Sequence, residues 1–176
     1  MEFTGKQFKA IGSFASTDLG RPSLNGIWID KSRIFATDGH ILIVQKLEDL
    51  DRTLFVPVGK LKGIKAKDKI EIRIDGVYLV SELGQIKISD NDHARNTSAS
   101  PPDIDRVIPD FYDEITPMGS PITCLSCHLV STCMKALEKL GAKGARWQLG
   151  ETNEAIRIDA TKLDRETTIV IMPMRL

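Results

Sequence analysis

A unit made of one strand, one helix and two or three further strands recurs about three times along this chain, at a spacing of roughly 50 residues. In the first copy, residues 1–4 form a short strand. Residues 5–16 form a helix with Phe8, Ile11 and Ala15 on one face and Lys6 and Lys9 on the other. After a loop at 17–23, rich in Asp, Gly and Pro, come apolar strands at 24–29, 33–37 and 41–45, with Asp38-Gly39 as a turn. The second copy has a strand at 53–57, a helical turn at 58–64 and strands at 70–74, 77–80 and 85–89. In its first long strand Ile70, Ile72 and Ile74 alternate with charged residues, as in a strand with one buried face. The third copy has a strand at 121–125 and then the strongest helix in the chain. Ser126 is its N-cap, Leu129, Cys133, Leu137 and Leu140 are its apolar stripe, and Gly141 is its stop. Strands at 146–149, 155–159 and 167–172 follow. The predicted class is α+β, with antiparallel sheets carrying helices on one face.

Between the second and third copies the chain changes character. NDHARNTSASPPDIDR is polar and broken by prolines, and residues 93–120 read as a linker or long loop. The expected organisation is therefore a domain at 1–92, a linker at 93–120 and a half-domain at 121–176. A lone half-domain leaves sheet edges open, so association is expected.

The balance of 24 basic and 24 acidic residues excludes a uniformly basic nucleic-acid binder but leaves room for a basic face. No apolar run approaches the roughly 20 residues of a membrane span, and MEFTGKQFKA has no secretory pattern. Three cysteines confined to one stretch suit a reducing cytoplasm. Cys124-x-x-Cys127-His128 lacks the second ligand pair that structural zinc needs, and Cys133 sits on the apolar stripe as a small core residue. Asp38 and His40 share a turn with no nucleophile nearby. Asp103, Asp105, Asp110, Asp113 and Glu114 lack calcium-loop spacing. Trp28 and Trp147 read as sheet or core residues. No metal, cofactor or catalytic residue is expected.

Four stretches carry a resemblance. The opening MEFTGKQF, LNGIWID…RIFATDGHILIV, PPDIDRVIP at 101–109 and the terminal VIMPMRL resemble, in that order, segments of the bacterial DNA polymerase III beta sliding clamp. Residues 1–109 resemble its middle domain and 120–176 the second half of its last domain. The resemblance implies a DNA-clamp-like fold of repeated β-α-β-β(-β) half-domains. It also implies a shallow hydrophobic pocket that receives short peptides from polymerases, the clamp loader and repair proteins. LNGIWID…RIFATDGHILIV would supply Leu24, Thr37, Gly39, His40 and Leu42 to that pocket, and PPDIDRVIP would supply Pro102 and Val107. The terminal VIMPMRL would supply Val170, Met172, Pro173, Met174, Arg175 and Leu176.

The chemistry suits such a pocket. Methionine is unbranched and adaptable, Gly39 admits close backbone approach, and Pro173 would block strand extension at a sheet edge. A few anchors burying about 1.5–3 kcal/mol each would give micromolar-class binding after ordering costs. Two positions depart from the family pattern: Ile41 stands where a basic residue usually follows the histidine, and Ile104 where an aromatic usually stands.

The family's ring also implies basic helices facing duplex phosphates without reading sequence. The positions here are Lys6, Lys9, Lys60, Lys62, Lys65, Lys135, Lys139 and Lys143; by charge alone they are equally ordinary solvated lysines. A complete ring has twelve half-domains, so four chains of three would close one. The expected function is a reduced, cytoplasmic, homo-oligomeric processivity factor, such as a phage would encode, with duplex DNA, a polymerase and a clamp loader as partners. The rival is a decoy that keeps the pocket, forms no ring and, without tethering to DNA, sequesters clamp-binding peptides or caps a host clamp.

Overall fold

The computed structural model describes residues 1–89, 100–109, 125–149 and 154–173. Eleven strands among them form two antiparallel sheets. The smaller has the order β1 (Glu2–Thr4), β6 (Lys69–Arg73), β7 (Gly76–Ser81), β8 (Gly84–Lys87). The larger begins with β5 (Leu54–Pro57), β2 (Gly26–Asp30), β3 (Arg33–Thr37) and β4 (Ile41–Lys46). It continues through β11 (Thr167–Ile171), β10 (Ile156–Thr161) and β9 (Gly144–Gln148). The join between the early and late parts of the chain is the β4–β11 pair, in register from Gln45 opposite Thr167 to Ile41 opposite Ile171.

Strands β2, β3 and β4 of the larger sheet are buried on both faces, which explains why GIWID, RIFAT and ILIV read as continuous apolar runs rather than alternating ones. Ile27, Ile29, Ile34, Ala36, Ile41, Ile43, Ile169 and Ile171 enter the main core beneath the helices. Trp28, Phe35, Leu42, Val44, Phe55 and Val170 point the other way into a second cluster, whose cover is Ile104. The period of two assigns each residue to one face or the other.

Helix α1 (Gly5–Gly12) opens with a capping box between Thr4 and Gln7, satisfying two N-terminal N–H groups reciprocally. It stops four residues short of the sequence expectation. At Gly12 the α2 helix (Val58–Leu61) comes so close that a Cβ would lie 2.3 Å from Leu61 Cδ1, and Ser13 caps the end. Helix α3 (Cys127–Leu140) follows the sequence reading, with Ser126 as N-cap and Gly141 N–H donating to the Leu137 carbonyl at 3.1 Å. Its Cys133, Leu137 and Leu140 are buried in the main core, and Leu129 packs partly buried against it. One expectation fails. Ile74 lies beyond the end of β6 and is exposed, because the chain turns at Ile74-Asp75 and Gly76, already in β7, pairs with Arg73. Trp147 is a sheet residue, as read, on the edge strand β9 and half exposed. The strand expected at 121–125 lies outside the described residues except for Leu125, which is in no strand.

Candidate functional site

The site is built where β4 meets β11. The turn before β4 is fixed by its own side chains. Asp38 Oδ1 accepts from the N–H groups of His40 (2.7 Å) and Ile41 (2.9 Å), and Thr37 Oγ1 accepts from Gly39 N–H at 3.0 Å. Gly39 has φ +94°, a conformation that side-chain-bearing residues avoid, and its place beside Leu24 and Arg21 leaves ordinary contact room for a Cβ, so conformation is the reason for glycine there. Asp38 is thus a structural turn residue. Past the end of β11, Met172 N–H donates to the His40 carbonyl at 2.9 Å, tying the last described segment to this turn.

Residues 100–109 form a strap over the outer face of the sheet. Ile104 is its anchor, 3% exposed among Trp28, Phe35, Leu42, Val44, Phe55 and Val170. Two arginines pin it from the sheet. Arg33 of β3 pairs with Asp105, and Arg157 of β10 donates to the Pro109 carbonyl at 3.0 Å. Arg157 is itself held by Asp159, which also accepts from Thr168 Oγ1 at 2.7 Å. Asp103 pairs with Arg106 at 2.8 Å. These acidic residues of the strap therefore neutralise arginines rather than gather around a cation.

Between strap, turn and strand end lies a cavity of about 190 Å³. Leu24, Thr37, Gly39, His40 and Leu42 line it from the first segment, Pro102 and Val107 from the strap, and Val170 and Met172 from the end of β11. Leu42 and Val170 are directly opposite each other across the β4–β11 pair and form the floor. Val107 (42% exposed) and Met172 (40%) form an apolar rim open to solvent. Pro173 is not among the lining residues, and the reason offered for it changes. Strand β11 is interior to the sheet, between β4 and β10, so Pro173 follows a strand end and guards no edge. Met174, Arg175 and Leu176 lie outside the described residues. Ile41, Asp103 and Ile104 also line the cavity. Ile41 replaces a cation with a buried hydrocarbon, so this wall is apolar. A lone isoleucine in a polar stretch was the available signal for Ile104. Nothing in the sequence pointed to Arg33 and Arg157, whose roles depend on long-range pairing.

The whole chain superposes on the DNA polymerase III beta subunit of Thermotoga maritima with a TM-score of 0.64 at 12% identity, over 65% of that chain. The chain has the fold of a beta sliding clamp. The beta subunit of Borrelia burgdorferi, solved with a natural product, gives 0.67 at 16% identity over 64% of its length. The beta sliding clamp of C. crescentus gives 0.65 at 13% over 65%. This clamp-fold chain thus spans just under two thirds of the length of these clamps while being covered completely itself. No family model and no curated protein matches its sequence.

The clamp-fold helices form a layer on the inner side of the sheets, with α1 packed along α3 and against α2. All eight lysines named above are exposed in this layer: Lys6 and Lys9 on α1, Lys60 on α2 with Lys62 and Lys65 just after it, Lys135 and Lys139 on α3, and Lys143 beyond it. Lys9 Nζ donates to the Ile64 carbonyl at 3.2 Å, so its charge is partly held to the protein. Burial pushes the Cys133 thiol up to about 12, which keeps it protonated and makes it a packing residue. Among the described residues no cluster of His, Cys, Asp and Glu is placed to hold a metal, and no helix is long and apolar enough to cross a membrane.

Proposed function

We propose that this chain is a sliding-clamp-like replication factor that captures clamp-binding peptides of a polymerase and other partners in the cavity at the β4–β11 junction. The observation that carries the reading is the convergence of three remote segments, around Leu24–Leu42, Pro102–Val107 and Val170–Met172, on one apolar cleft. In this reading Pro173, Met174, Arg175 and Leu176 extend the rim. Residues 1–92 act as a clamp-like domain, 121–176 as a half-domain, and the intervening segment supplies the pocket wall.

Several copies would assemble into a ring around duplex DNA, with the exposed lysines meeting phosphates through counterion release rather than base contacts. A clamp loader would open such a ring. The reading is tested by fluorescence anisotropy with a labelled clamp-binding peptide and its scrambled control, on the full chain and on a chain lacking residues 174–176. Micromolar, sequence-dependent binding that the truncation abolishes supports it, and equal binding of the scrambled peptide refutes it. Retention on nicked circular DNA, with loss from linear ends, supports encirclement. Peptide binding without any DNA retention assigns the decoy role instead.

A further inference from the structure

We propose that Arg157 is the positioning residue that sets the width of the cleft and so decides how large a peptide side chain the cleft accepts. This rests on the peptide-capture reading above and adds to it the selection rule of the site. The strap straddles the join between the early and late parts of the chain. Arg33, on β3, holds it at Asp105 from the early side. Arg157, on β10, holds it at Pro109 from the late side. Val107, the strap's contribution to the cavity rim, lies between these two points.

Arg157 is built as a fixed point. It is the cross-strand partner of Val170, which is itself opposite Leu42, so the guanidinium and the cavity floor belong to one outer row of the sheet. Its side chain is only 17% exposed, and a charge that far from water needs firm partners. Nε donates to both carboxylate oxygens of Asp159, at 3.1 and 3.0 Å, and Asp159 accepts in turn from Thr168 Oγ1 on β11 at 2.7 Å. A planar guanidinium held in this way at Nε has its other nitrogens aimed, and Nη1 donates to the Pro109 carbonyl at 3.0 Å. Val107 is thereby placed from both sides. Its N–H donates to the Ile104 carbonyl at 3.1 Å, closing a turn on the buried anchor, and Pro109 follows two residues later. Ile108, between them, packs half-buried against the outer cluster. Apolar packing is non-directional and lets the strap slide over the sheet; a hydrogen bond to a fixed donor does not. A peptide side chain that fits leaves the Pro109 bond intact, whereas a larger one has to break it. The cleft therefore selects partly by what its wall refuses.

The test is fluorescence anisotropy on the full chain with two labelled clamp-binding peptides that differ only in the anchor side chain, leucine or tryptophan, and a scrambled control. The unaltered chain is expected to bind the leucine form about tenfold more tightly than the tryptophan form. Arg157→Gln should cut that ratio at least about fivefold, by weakening the leucine form and sparing the tryptophan form. Arg157→Lys, which keeps a donor on the same stem, should retain more of the ratio. Asp159→Asn leaves the arginine but loosens its hold; it should move the ratio the same way, and it decides the question if Arg157→Gln does not fold. An arginine that only stabilised the fold would weaken both peptides alike. An unchanged ratio in the variants, or equal binding of the two peptides by the unaltered chain, overturns the positioning role and leaves peptide capture standing. Failure of the unaltered chain to prefer either peptide over the scrambled control overturns the capture reading, and the positioning role with it.

Discussion

Replacing Ile104 by alanine probes how the strap makes the pocket. Ile104 is the one strap residue buried in the outer cluster, and the change removes three carbons from a site 3% exposed. At about 0.8 kcal/mol per buried carbon the loss is about 2–3 kcal/mol, with any unfilled cavity adding to it. The strap keeps two other anchors. The Arg33–Asp105 pair, half open to water, contributes about 0.2–1 kcal/mol. The Arg157 bond to the Pro109 carbonyl contributes about 1.5–3 kcal/mol. Their sum is enough to hold the variant's strap down, so the loss should appear in global stability. Urea denaturation is expected to show the midpoint falling at unchanged slope, and Tm should drop by about 5–10 °C. Peptide affinity should fall with it, because Ile104 itself lines the cavity and its loss hollows the strap's side of the wall. A stability change under 0.5 kcal/mol would refute the buried anchor. A normal stability loss with untouched peptide affinity would refute the strap as a pocket wall.

Met172→Ala and Val107→Ala, both at the exposed rim, should each weaken peptide binding about 3–10-fold by anisotropy, with Tm unchanged within error. Reversing Lys135 and Lys139 to glutamate should shorten retention on nicked circular DNA and flatten the salt dependence of binding, leaving peptide affinity unchanged. Cys127 should react at once with a thiol reagent at pH 8, while Cys133, pushed up to about 12 by burial, should react only on unfolding. Hydrogen bonds from Arg73 and Lys69 hold the Glu71 carboxyl below its ordinary range. Its small favourable contribution is therefore complete above the ordinary carboxylate pKa and lost as pH falls through the lowered one. An NMR titration should find Glu71 low, and Arg73→Ala should move it up.

Local chemistry was legible wherever neighbours in sequence decide the outcome. The Ser126 cap, the Cys133–Leu137–Leu140 stripe and the Asp38-Gly39 turn need only a few consecutive residues, and the structure places them as read. Apolar runs such as RIFAT indicated strands but not that both faces are covered, because the cover is a strap some 70 residues later in the chain, written in polar and proline-rich language. The reason for a glycine at the end of α1 was not legible, because the side chain that leaves no room for a Cβ there, Leu61, is far along the chain. For the same reason Pro173 was given an edge to guard: periodicity reveals a strand but not its neighbours.

The cavity floor is also the join. Leu42 and Val170 are cross-strand partners in the pair that unites the early and late parts of the chain, and Met172 N–H bonds to His40 just beyond it. A ligand seated there touches both strands, so it binds only while β4 and β11 are paired. Separating them would split the floor and turn Leu42 and Val170 to water. Ligand binding and unfolding are then linked, and the folded state gains RT ln(1 + [L]/Kd). At peptide one hundred times its Kd the gain is about 2.7 kcal/mol, which for a chain of this size raises Tm by roughly 5–10 °C. The same peptide should slow amide exchange at Leu42, Val170 and Met172 together, because one opening exposes all three. Protection confined to the strap would mean that the peptide sits on residues 100–109 alone and that the junction takes no part in capturing it.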